Sequence, residues 1–178
     1  MAFLFDFWNM PINEYAPGIE PRIVLLPEKR LAGISMKMSL AENQTGLLWK
    51  TFMTRRHELK AENNSERYSL QVYPKDYHSS FNPVTVFEKW AAVEIRSSDP
   101  VPEAMEIFEL PAGLYAVFDY KGLNTDTRIF QYIFTAWLPG SGYELDDRPH
   151  FEILGEKYRN GDPESEEEIW IPVKTKQP

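Results

Sequence analysis

The feature that most constrains the fold is an internal repeat, because a chain that says the same thing twice must place two like units against each other. Shifted by 80 residues, Leu31-Ala32-Gly33-Ile34 falls on Pro111-Ala112-Gly113-Leu114, Trp90 on Trp170 and Val93 on Val173. A shift of 82 lays the helical stretch after Thr45 over the one after Thr127. The order of elements agrees as well. Arg22 to Leu26 and Leu31 to Leu40 read as strands interrupted by Pro27, with Met36 and Met38 alternating. Gly46 to Lys60 has Leu47, Leu48, Phe52 and Leu59 at near-helical spacing, and Thr45 is the expected N-cap. Tyr68 to Tyr73 and Val84 to Arg96 read as two further strands.

After the joint Ser97 to Pro102, the order starts again. Glu106 to Asp119 is strand-like around Pro111-Ala112-Gly113. Asp126 to Leu138 carries an apolar helical stripe of Ile129, Phe130, Ile133, Phe134 and Trp137, stopped by Pro139-Gly140-Ser141-Gly142. His150 to Leu154 and Ile169 to Lys174 are strands. The expected fold is therefore α+β: a tandem strand–helix–strand–strand repeat forming a curved antiparallel sheet with two helices. Its pseudo-repeats are 21–96 and 106–174, within a domain over 21–178 preceded by an arm over 1–20. One copy has too little core to stand alone, so the pair shares one. A cleft where like units meet is where small ligands bind.

His150-Phe151-Glu152-Ile153-Leu154 puts a carboxylate in the middle of an apolar strand. Period two sends Phe151 and Ile153 to one face and Glu152, with His150 and Leu154, to the other. On an interior face an ionised carboxylate needs a partner or a cation. Unpaired and ringed by aromatics, it is a receptor for a lipophilic cation. On an outer face it is an ordinary solvated residue.

Composition narrows the function classes. A net charge of -8 argues against binding a phosphate backbone. With 0 Cys there is no disulfide framework and no thiolate metal site. His57, His78 and His150 are far apart in sequence and form no metal motif, with His57 expected in solvent and His150 at a surface strand end. The acidic run Glu164 to Glu168 reads as a solvated turn. No cofactor or metal is expected. Met1 to Gly18 carries Phe3, Leu4, Phe5, Phe7 and Trp8 but is broken by Asp6 and Asn9, so it is neither a signal peptide nor a span. It reads as an arm packing on the domain or on a partner subunit, and the setting as cytoplasmic.

Pro21-Arg22-Ile23-Val24, Leu48-Trp49-Lys50-Thr51-Phe52, Leu110 to Phe118, Trp137 to Tyr143, Asp147 to Glu152 and Glu168 to Val173 occur in order and at distances that resemble the GyrI-like effector-binding family. That family supplies the ligand domain of many bacterial transcription activators and also occurs alone. The resemblance covers about residues 21 to 174 and implies the tandem fold inferred above. It implies that Glu152 is the central pocket glutamate, facing cationic or polar-aromatic ligands. Tyr115, Trp137 and Trp170 lie in matching motifs and are expected as pocket walls, and Phe151 takes the apolar place before the glutamate. Some relatives carry a DNA-binding helix-turn-helix; the twenty residues before this domain are too short for one, so no direct nucleic-acid contact is expected. The predicted function is binding of small hydrophobic, cationic ligands as a sensor or sequestering module, with a homodimer or a partner regulator left open. The alternative is a hydrolase of strained electrophiles that uses Glu152 as general base.

Overall fold

The computed structural model describes residues 19–75 and 77–177. The arm expected at the N-terminus lies outside them, apart from Ile19 and Glu20. In the first half, β1 (Arg22–Leu26) and β2 (Lys29–Met38) lead to α1 (Thr45–Arg55), a short 3-10 turn, β3 (Arg67–Val72) and β4 (Phe87–Glu94). In the second, β5 (Glu106–Leu110) and β6 (Gly113–Lys121) lead to α2 (Arg128–Tyr132). That helix runs on through a π-helical turn, Ile133–Trp137, and a last turn, Leu138–Gly140. Then follow β7 (Tyr143–Leu145), β8 (His150–Leu154) and β9 (Glu166–Thr175).

The strands form one antiparallel sheet in the order β1-β6-β9-β8-β3-β4-β2-β5, with β7 added beside β9. Read inward from its two ends, the order is β1, β6, β9, β8 and β5, β2, β4, β3, so equivalent strands occupy equivalent places. The copies meet at β3 and β8, where Ser69 opposes Glu152 and Leu70 opposes Phe151. Leu70 faces Trp90 as Phe151 faces Trp170, which makes Gln71 the first-half counterpart of Glu152.

The two opening strands are exchanged: β1 pairs with β6 of the second half, and β5 with β2 of the first. This exchange dictates the curvature. Only Pro27 and Glu28 join β1 to β2, although the two strands stand near opposite ends of the order. Three Cα steps span at most about 11 Å. Pro111 and Ala112 impose the same limit on β5 and β6. The sheet must therefore curl until its ends approach, like a nearly closed barrel.

The enclosed face becomes the main core. It holds Leu31, Tyr68, Leu70, Trp90, Tyr115, Phe151 and Trp170, joined by Leu26 from one end strand and Leu110 from the other. Phe151 stacks on Trp170 with ring centroids 5.2 Å apart and meets Tyr115 nearly edge-on at 5.2 Å. The repeated glycines serve close approaches. A Cβ on Gly33 would sit 2.1 Å from the Ala91 carbonyl oxygen, and one on Gly113 would meet the Arg148 guanidinium. That guanidinium lies 4.5 Å above the Tyr115 ring and donates to the carbonyl oxygens of Leu114 and Val173.

Both helices pack on the outer face. Leu48 and Phe52 of α1 cover Ala32, Ala91 and Val93 on β2 and β4. Ile129 and Ile133 cover Ala116, Phe118, Ile169 and Ile171 on β6 and β9. Among the described residues no helix packs on β3 and β8, so the outer face of the seam between the copies is the floor of a groove between the two helices.

Local details differ from expectation: Glu106 to Asp119 is two strands, Tyr143–Leu145 is a further strand, and several element ends shift. Residue 44, not Thr45, caps α1; the Thr45 hydroxyl instead approaches the Met38 sulfur at 3.5 Å. The last strand begins at Glu166 rather than Ile169, because Lys121 to Phe118 of β6 offer it a complete ladder.

Phe151→Ala is expected to cost about 3–5 kcal/mol in unfolding free energy, the cost of truncating a large, fully buried ring. Urea denaturation measures it; a loss below 1 kcal/mol would contradict the enclosed core.

Candidate functional site

Residues directly opposite in an antiparallel ladder share a face. Glu152 opposes Ser69 on one side and Ile169 on the other, and Ile169 belongs to the cluster under α2. Glu152 therefore stands on the outer face, on the floor of the groove. Gln71 and His150 oppose each other on the same face, Lys89 opposes Gln71, and Glu167 opposes Tyr120.

These groups make one polar cluster. Gln71 Nε2 donates to both carboxylate oxygens of Glu152, at 2.9 and 3.2 Å. Lys89 Nζ lies 3.4 Å from Glu152 Oε2, and the two side chains keep only 10% and 13% of their surface. The carboxylate is thus not the unpaired acid the sequence suggested: an internal ammonium offsets its charge, at a distance that leaves the pair loose. The Gln71 carbonyl oxygen, Oε1, is buried without a partner among the described residues. Such an atom carries an uncompensated desolvation cost and can accept a hydrogen bond from a ligand.

Glu167 is the acid that sequence reasoning missed. The run Glu164 to Glu168 is not a solvated turn, because its second half is strand and period two turns Glu167 onto the groove floor. Burial first, and the charge of Glu152 second, raise the Glu167 carboxyl to about 7, against a smaller opposing effect of Lys89. Burial also raises Tyr158, whose phenol feels Glu167 and Glu152. Strand parity from residue 169 backwards would have flagged Glu167; the acidic composition of the run hid it.

Beside this floor stands an aromatic wall. His150 is 7% exposed rather than at a surface strand end, since the loop after β3 folds over it. Its ring stacks on His78 at 4.9 Å, and His78 stacks on Phe134 at 5.3 Å. Tyr73 meets His78 and His150 edge-on at 4.9 and 5.2 Å and stacks on Tyr77 at 4.3 Å. Burial pushes the His150 imidazole well below its usual range, and it lowers His78 also. Both rings are neutral at pH 7, and the stack they form with Phe134 makes an apolar wall beside the acid. Phe134 reaches this wall from the π-helical turn, a distortion often found at functional sites.

The rings named with Glu152 from sequence are distributed differently. Phe151, Tyr115 and Trp170 lie together on the enclosed face, across the sheet from Glu152. Burial raises the Tyr115 phenol to about 12, and its hydroxyl donates to the Pro149 carbonyl oxygen. Trp137 shares the outer face but packs on Phe118, two strands from Glu152, and on Tyr143. A separate, open concavity of about 660 Å³ lies far from this cluster, among Glu28, Lys29, Arg30, Glu94, Arg96 and Glu109. Its charges largely satisfy one another through Lys29–Glu94 and Arg30–Glu109 pairs.

Residues 19–174 match the family model described as a GyrI-like small molecule binding domain. The chain belongs to the GyrI-like family. Over 158 residues this GyrI-like chain is 30% identical to the transcriptional regulator BrlR of Pseudomonas aeruginosa, covering 88% of the chain but 56% of BrlR. The GyrI-like chain thus spans about half the length of that curated relative. Two solved structures share its fold. EcmrR, in a complex with DNA, has a TM-score of 0.67 at 13% identity over 88% of this chain and 58% of EcmrR. SAV2435, solved with tetraphenylphosphonium bound, has a TM-score of 0.59 at 18% identity over 87% of this chain and 94% of its own. Among the described residues of this GyrI-like domain, no helix is long and apolar enough to cross a membrane.

Lys89→Met should leave the Glu152 carboxylate without its ammonium, at a cost of about 1–3 kcal/mol at pH 8. Urea denaturation at pH 8 checks this; equal stability of variant and parent would show the pair to be idle.

Proposed function

We propose that this domain binds lipophilic aromatic cations in the groove between its two helices, with Glu152 supplying the charge, and serves as a ligand-sensing or sequestering module. The observation that carries the reading is a largely buried carboxylate on a floor walled by neutral rings. In that low-dielectric setting the Coulombic attraction for a cation exceeds its value in water. Tyr73 and Phe134 add aromatic surface, a ring face of this kind being able to contribute about 0.5–2 kcal/mol to a cation placed over it, and the neutral His150 and His78 rings add apolar surface. Trp137 borders the groove on the α2 side. Phe151, Tyr115 and Trp170 act from beneath, holding β8 rigid so that Glu152 keeps its place.

The Lys89 ammonium sets the selectivity. A guest must compete with it for the carboxylate, so a neutral guest gains only apolar contact and a weak cation gains little. SAV2435 binds tetraphenylphosphonium on the same fold, and BrlR is a transcriptional regulator; both likenesses support a ligand-sensing role for this chain. Tetraphenylphosphonium has no hydrogen-bond donor, so its recognition rests on charge and ring contacts alone.

Hydrolysis with Glu152 as general base has less support. Both carboxylate oxygens already accept from Gln71 and one lies near Lys89, which leaves little freedom to take a proton from water.

The test is calorimetric titration of the parent and Glu152→Gln with tetraphenylphosphonium and with neutral triphenylphosphine oxide. The variant should lose about 1.5–3 kcal/mol for the cation, roughly ten- to a hundredfold, and much less for the neutral compound. Equal cation affinity in the two proteins would remove Glu152 from the site.

A further inference from the structure

We propose that Glu167 is a second acid of this groove, and that a cation bound at Glu152 enters in exchange for a proton carried by Glu167, so that uptake is coupled to pH. The inference rests on the groove reading above and adds to it a named residue and a second chemical event.

The placement comes from the register. Glu152 opposes Ile169, and Glu167 is the next residue of β9 on that face, diagonal to Glu152. Diagonal neighbours of this kind lie roughly 7–8 Å apart, with their Cβ atoms somewhat closer, within reach of two extended carboxylates and a guest between them. Glu167 is partly buried, and none of the described residues donates a hydrogen bond to it or pairs with it as a salt bridge. Its neighbours on β9 differ: Glu166 pairs with Lys157 and Glu168 with Arg22, both on the surface. One acid of three is left facing the groove without a counter-ion. The second sign of a ligand is Gln71, 8% exposed, which points its amide at Glu152 yet leaves Oε1 without a partner.

The charges around Glu167 account for the exchange. Glu152 on β8 repels its anion, and Lys89 on β4 favours it from farther off. Tyr158, from the loop after β8, is a neutral phenol whose ionisation Glu167 itself opposes. Tyr120, opposite on β6, is likewise held neutral by burial, with the Asp126–Arg128 pair beyond it. Arg67 on β3 turns its guanidinium to the carbonyl oxygens of Leu154 and Gly155. Arg67 is turned away to backbone carbonyls and Lys89 lies against Glu152, so Glu167 is the acid that burial and the charge of Glu152 keep protonated. A permanent cation between the acids supplies the missing positive charge. Glu167 then ionises, and its proton leaves to solvent. His150 and His78 are poor rivals for that role, because burial lowers both imidazoles from their ordinary range.

The sign follows. At pH 6 the cation must expel a proton that Glu167 holds, and at pH 8 it need not. Affinity therefore rises with pH through the neutral range, with a limit of tenfold per unit for one exchanged proton. The experiment titrates tetraphenylphosphonium into the parent, Glu167→Gln and Glu152→Gln at pH 6 and pH 8, in two buffers of different ionisation enthalpy. The parent should bind roughly tenfold tighter at pH 8 and release most of one proton per cation at pH 6. Glu167→Gln should bind with no pH dependence and no proton release; Glu152→Gln should bind weakly at both values. A carbon-13 titration of the ligand-free parent should show one side-chain carboxyl with a midpoint near neutrality, absent from Glu167→Gln. Parent binding that is equal at the two pH values, or a pH dependence that survives in Glu167→Gln, would overturn this inference alone. Absence of binding at both values would overturn the groove reading and this inference with it.

Discussion

Two-residue connections at Pro27–Glu28 and Pro111–Ala112 govern the architecture, because they tie together strands that the pairing order places near opposite ends of one sheet. The sheet can satisfy both links only by curling on itself. Once it does, the inward face has no access to solvent, and the rings there, Tyr68, Trp90, Tyr115, Phe151 and Trp170, become core whatever their chemistry. The outward face then needs cover, which α1 and α2 provide over the outer strands of each copy. Two helices cannot also cover the seam. The groove is therefore a consequence of closure plus duplication.

That location explains the chemistry found there. A seam residue sees both copies, so Glu152 can meet Gln71, which occupies its own place in the other half, and Lys89 from the strand beyond. The duplication supplies two equivalent positions, and the chain fills them differently, with an acid in one and an amide in the other. Two acids at these diagonal positions of the seam would repel in a half-buried setting. An amide can donate to the carboxylate and still keep an acceptor free. Partial neutralisation by Lys89 makes the carboxylate tolerable to the fold.

Much of this was legible from residues alone. The repeat predicted the order of elements, the seam and the helix stripes, because Leu48, Phe52, Ile129 and Ile133 are core residues at helical spacing. The strand His150–Leu154 follows from its alternation, and its parity puts Glu152 and Phe151 on opposite faces. What period two could not say is which face lies inside and which under the helices. Phe151, Tyr115 and Trp170 are large rings in matching motifs, and closure, a property of connections rather than composition, puts them on the far side of the sheet. Lys89 escaped notice because a lysine within Phe87–Glu94 looks like an ordinary solvated strand residue. Glu167 was masked by its acidic neighbours, and His150 and His78 are brought together only by the loop that follows β3.

If the ligand occupies the outer groove and not the enclosed core, magnetisation transfer between a bound guest and assigned side chains shows it directly. Intermolecular nuclear Overhauser effects should connect the phenyl protons of tetraphenylphosphonium with the rings of Tyr73, His150 and Phe134 and with the Glu152 side chain. None should reach Trp90, Phe151 or Trp170. Contacts to those interior rings, with none to the groove, would contradict the account at its root.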